Sequence, residues 1–78
     1  MEAWHRAMKR VLIVIEKTAD GFGAYAPDVP GVGVLGDTVE ETQQLMREAL
    51  ELHFEAMRED GLPVPDPQST AVFVEVPA

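Results

Sequence analysis

Five consecutive apolar residues, Val11-Leu12-Ile13-Val14-Ile15, stand between Arg10 and Glu16. Four of the five are β-branched, which suits a pleated strand and disfavours a helix. The run is therefore expected to be a buried strand reaching from Lys9 to Lys17. Side chains alternate along a strand, so Val11, Ile13 and Ile15 face one way while Leu12 and Val14 face the other. Both faces are apolar, and both call for a cover. The chain has 78 residues, room for one domain only, and such a chain buries only about 60% of the surface its unfolded form exposes. It contains no cysteine, hence neither a disulfide staple nor a thiolate metal site. Self-association is the remaining common way to stabilise so small a fold.

The rest of the chain supplies one helix and three further strands. Asp20-Gly21 is expected to turn the chain through glycine's access to positive φ, giving a hairpin with a second strand through Phe22, Ala24, Tyr25 and Ala26. Pro27 stops that strand, because it has no N–H for the ladder. Pro30-Gly31 fills the central positions of a type II turn, followed by a short strand at Val32 and Val34. Thr38 and Glu41 form a capping box. The helix that follows repeats apolar positions at three- and four-residue steps through Val39, Thr42, Leu45, Met46, Ala49, Leu50, His53, Phe54, Ala56 and Met57. Gly61 and Pro63 end it. Prolines at 63, 65 and 67 make a stiff connector, and Ala71 to Val76 reads as a final strand. A right-handed crossover would lay that strand parallel to the first, giving an α+β fold with a four-stranded mixed sheet under one long helix. Residues 1–9, with Trp4 and Met8, form a flexible or partner-ordered arm ahead of a single domain, 10–78.

One helix covers one face of a sheet, so the second apolar face is left for a partner, for a second copy, or for Trp4 and Met8 of the arm. Tyr25 and Phe22 lie on opposite pleats, and Tyr25 is expected to be the one that points away from the helix. Fourteen acidic residues against six basic ones give a formal charge of −8. That charge opposes phosphate backbones and anionic membranes and favours a basic protein partner. No apolar run approaches the ~20 residues of a membrane span, and no signal peptide is visible, so a cytoplasmic location is expected.

Several patterns invite a chemical reading. Gly31, Gly33 and Gly36 match G-x-G-x-x-G, but Pro27 and Pro30 stand where a dinucleotide site needs its buried strand, so turn shaping and close packing are the expected roles. Glu16, Glu48 and Glu75 could meet around a divalent cation if the first and last strands were neighbours; solvated carboxylates are the plainer reading. His5 and His53 have no cysteine or second histidine at ligand spacing, and His53 falls at the border of the helical stripe. Ser69 is the sole serine and lies in the connector, so no nucleophilic triad is available. Neither cofactor nor metal is expected.

The stretch EKTADGFGAYAPDVPGVGVLGDTVEE, followed by REALELHFEAMREDGLPVPDP and VEVPA, resembles the HicB-like antitoxin domain of bacterial toxin-antitoxin systems. The ordered set Asp20-Gly21, Tyr25, Pro27-Asp28, Pro30-Gly31, Gly36-Asp37-Thr38 and Glu48-Ala49 carries the likeness from residue 10 onward. The resemblance implies a partial ribonuclease-H-like β-β-β-α-β fold without nuclease activity. It also implies a small basic, mRNA-cleaving HicA-like toxin as partner, inhibited by occlusion. No DNA-binding extension follows Val76, so direct nucleic-acid binding is not expected. The proposed contacts are Leu12, Val14, Tyr25 and Phe73 for apolar burial, with Glu16, Asp28 and Glu75 for charge. The alternatives are a homo-oligomeric accessory protein without a toxin and, after it, a metal-dependent nuclease.

Overall fold

The computed structural model describes residues 8–78. Its elements are β1 (Val14–Lys17), β2 (Phe22–Tyr25), β3 (Gly33–Gly36) and α1 (Val39–Glu59), in that order. The three strands form an antiparallel sheet in the order β1-β2-β3. Val14 pairs with Tyr25 and Lys17 with Phe22 across the first ladder, while Ala24 pairs with Val34 across the second.

The first hairpin closes through Thr18 N–H donating to the Gly21 carbonyl at 2.8 Å. Among the described residues only Gly31 and Gly61 have positive φ, so Gly21 serves closeness and not handedness. A Cβ there would lie 2.5 Å from the Gly36 carbonyl oxygen. At Gly31 φ is +89°, the value a type II turn demands of its third residue.

The helix begins as its cap signals require, with one change of partner. Thr38 Oγ1 accepts from Glu41 N–H at 3.0 Å, but the Glu41 carboxylate accepts from Asp37 N–H at 2.6 Å, one residue before the usual capping-box donor. At the other end Gly61 N–H reaches the Arg58 carbonyl and Leu62 N–H the Met57 carbonyl at 2.8 Å, the two bonds of a Schellman motif. Thr42, Met46, Leu50 and Phe54, four residues apart, form the buried line of the helix. They pack with Ala24, Ala26 and Val29, and Val11, Ile13, Ile15, Val34 and Val64 close the margins. Thr42 is fully buried yet satisfied, its hydroxyl donating to the Thr38 carbonyl at 2.7 Å. Val39 and Ala56, expected on the stripe, are exposed.

Two expectations about the sheet need correction. The first strand pairs only over Val14–Lys17, because β2 stops at Tyr25 and Pro27 has no N–H with which to extend the ladder. Residues 10–13 therefore overhang their neighbour. Among the described residues the fourth strand is not formed, and the sheet they build is three-stranded and wholly antiparallel. After the helix the Asp28 carboxylate accepts from the backbone N–H of Gln68 and Ser69 and from the Ser69 hydroxyl, at 3.0, 3.1 and 2.7 Å. This fixes the connector beside the turn after β2, and from there residues 71–78 run out fully exposed. The arm's Trp4 lies outside the described residues.

Candidate protein-binding face

Alternation and register together assign every strand residue to a face. Ile15, Ala24 and Val34 line up across the sheet beneath the helix. The opposite pleat carries Val14 beside Tyr25 beside Gly33, and Glu16 beside Gly23 beside Leu35. No described element covers this face. Tyr25 is 46% exposed and Leu35 76%, large apolar side chains that a folded domain ordinarily buries. Leu12 continues the pleat beyond the ladder and is half-buried.

The glycines of this face keep it flat. A Cβ at Gly23 would stand 3.3 Å from a Leu35 methyl, and one at Gly33 3.2 Å from the Ala24 carbonyl oxygen. The shallow depression between Tyr25 and Leu35 thus has backbone for its floor, with Glu16 and Lys17 on its rim. The G-x-G-x-x-G spacing is used up here, in a turn and a strand. Its last glycine sits against the helix, where a Cβ would collide with Thr42 Oγ1. Lys17 holds its ammonium 5.4 Å over the Phe22 ring on the helix-side pleat.

Among the proposed contact residues the structure brings together Leu12, Val14, Glu16 and Tyr25. Leu35, absent from that set, belongs with them, and the signal that finds it is its pairing with Gly23. Asp28 is engaged elsewhere: the amides of Gln68 and Ser69 and the Ser69 hydroxyl hold its carboxyl below the ordinary value of 3.8. Phe73 and Glu75 lie on the exposed tail, apart from the sheet. Glu16, Glu48 and Glu75 do not converge, and among the described residues no group of three or more His, Asp or Glu side chains could hold a metal ion. Of the turn and cap motif, Asp20, Gly21, Pro30, Gly31, Gly36, Asp37, Thr38 and Glu41 all fall in the two turns and the helix start.

Residues 11–78 match the family described as the HicB_like antitoxin of bacterial toxin-antitoxin systems. The chain belongs to the HicB-like antitoxin family. A 14.9 kDa protein encoded in the rep-hol intergenic region of Haemophilus phage HP1 is 37% identical over 65 residues, covering 83% of this chain and 49% of the phage protein. The chain thus spans about half the length of that relative. A UPF0150 protein of Synechocystis is 39% identical over 54 residues, 68% of either chain. Among solved structures, a chain of a HicA3 and HicB3 toxin-antitoxin complex superposes with a TM-score of 0.61 at 34% identity, covering 76% of this chain and 72% of that one. This HicB-like domain is an α+β fold whose open sheet face lies opposite α1. No helix among the described residues is long and apolar enough to cross a membrane.

Proposed function

We propose that this HicB-like domain acts as the antitoxin of a type II toxin-antitoxin pair, binding a small basic, mRNA-cleaving HicA-like toxin and inhibiting it by occlusion. The observation that carries this reading is the uncovered sheet face, where Tyr25 and Leu35 stand exposed over a glycine floor. Aromatic and aliphatic anchors on a flat, rigid platform supply the apolar centre that protein interfaces concentrate their energy in. The formal charge of −8 adds selection, because an acidic body attracts a cationic, RNA-seeking surface and repels acidic ones. The HicA3 and HicB3 complex, in which a similar chain occurs, supports a toxin as partner. Inhibition here needs no catalytic group: a protein that covers an RNA-binding surface competes with RNA directly.

Coexpression with the product of the adjacent gene tests the proposal. The chain is expected to copurify with that product and to restore growth. Tyr25→Asp and Leu35→Asp are each expected to abolish both effects while leaving the melting temperature within a few degrees, since exposed positions contribute little to folding. Rescue that survives both substitutions would move the interface off this face. Failure of the unmodified chain to rescue or copurify would leave the homo-oligomeric reading.

A further inference from the structure

Two parts of the described chain lack a partner, and each has the shape the other requires. The first is the tail, where Val72, Val74 and Val76 alternate with Phe73 and Glu75. Phe73 is 105% exposed, and the three valines are 69–77% exposed. Alternating β-branched residues in an extended segment make a strand, and a lone strand in water is not a stable end state. The second is a groove of about 780 Å³ between the helix and residues 8–13, with Val11, Ile13, Leu50, Phe54 and Val64 as its apolar lining and Arg47, Glu51 and Glu55 among its polar lining. It lies beside residues 10–13, the stretch that outruns β2 and has no ladder on either side.

The tail does not fill its own groove. Lys9 pairs with Asp66 at 2.8 Å, so the connector passes the start of the first strand. It continues to Asp28, beyond β2, where Gln68 and Ser69 are held by three hydrogen bonds. From Ser69 onward the tail makes no ladder with β1, and residues 71–76 are exposed throughout. Instead it stands out in solvent, with Val72 and Val74 each 77% exposed and Phe73 packed against nothing among the described residues of its own protomer.

We infer that the groove receives the tail of a second copy of this chain, and that two protomers exchange residues 71–76 reciprocally. Each tail becomes a fourth strand along the partner's β1, its valine face turned toward the groove floor and its backbone satisfying the free edge. Burying one side of two six-residue strands together with the two grooves removes on the order of 1,500 Å² from water, within the range of a standard stable interface. A segment of opposite apolar pattern would not fit, because a one-residue slip would turn Glu75 into the groove. The exchange leaves Tyr25 and Leu35 uncovered, so it neither requires nor excludes a toxin.

The chain has no cysteine, which permits a direct test. Ile13→Cys is mixed with Val72→Cys, Val74→Cys or Val76→Cys in turn, oxidised, and separated without reductant, alongside light scattering of the unmodified chain. The expected result is a dimer by light scattering and a two-chain disulfide for at least one of the mixed pairs. Val74→Asp is expected to convert the dimer to monomer. An intramolecular disulfide in a chain carrying both cysteines, at dilution, would place the tail in its own groove and overturn the inference. Self-linking of Val74→Cys alone without linkage to Ile13→Cys would mean tail-to-tail pairing, and overturns it too. So would a monomeric unmodified chain, or a dimer in which none of the three pairs links.

Discussion

A methyl group at Gly36 would meet Thr42 Oγ1, the Thr42 amide nitrogen at 3.1 Å and Glu41 Oε1 at 3.2 Å. The helix starts this close because Thr38 caps it only two residues after β3 ends. Gly36→Ala is therefore expected to destabilise by roughly 1–3 kcal/mol, as overpacking does in rigid surroundings. Urea unfolding measures it. Removing the hydroxyl with Thr42→Ala relieves one of the contacts, so the cost of Gly36→Ala is expected to fall in that background, while two independent sites would add. The Gly36-Asp37-Thr38 motif was legible as turn-plus-cap from residue types alone. What residue types did not carry was the distance to Thr42, which depends on how the helix packs back over the strand.

At the scale of elements, α1 was the most readable part of the chain, since a capping box, a period of three and four residues and a glycine stop all agree. Its centre is Met46, which is fully buried. Met46→Ala is expected to cost about 2–5 kcal/mol, seen as a lower urea midpoint with an unchanged slope. Leu52→Ala, at a position 69% exposed, is expected to be nearly neutral in the same assay. The first three strands were readable in place and order but not in length, and the expected strand at Ala71 to Val76 is not formed. Val11 to Ile15 has the composition of a strand throughout, yet a ladder needs a donor opposite, and Ala26-Pro27 turns away after Tyr25. Composition sets what a segment can do; its neighbour decides how far it does it.

For the whole molecule, the two long-range polar ties matter most, because both fix the connector. The three Asp28 hydrogen bonds and the Lys9 ammonium beside Asp66 hold each carboxyl below its ordinary value of 3.8. Folded values below unfolded ones mean that these ties contribute fully above that ordinary value and are lost as pH falls through the folded values. The amide proton shifts of Gln68 and Ser69 are expected to titrate together with a midpoint below 3.8, and to become flat in Asp28→Asn. A midpoint at or above the ordinary value would show that the tether does not hold in solution. Asp28 illustrates what residue types conceal: its carboxylate read as a charge offered to a partner, and the fold spends it on Ser69, forty-one residues away. The amino-acid sequence by itself determined the α+β class, the order of the first four elements, both helix ends and the surplus of apolar strand, because each follows from near neighbours through periodicity, capping and turn chemistry. Only the tertiary structure decided that Leu35 shares a face with Glu16, that Asp28 is a tether, and that residues 71–76 run exposed outside the sheet. Those outcomes depend on register and on contacts between distant residues, which local preference does not encode.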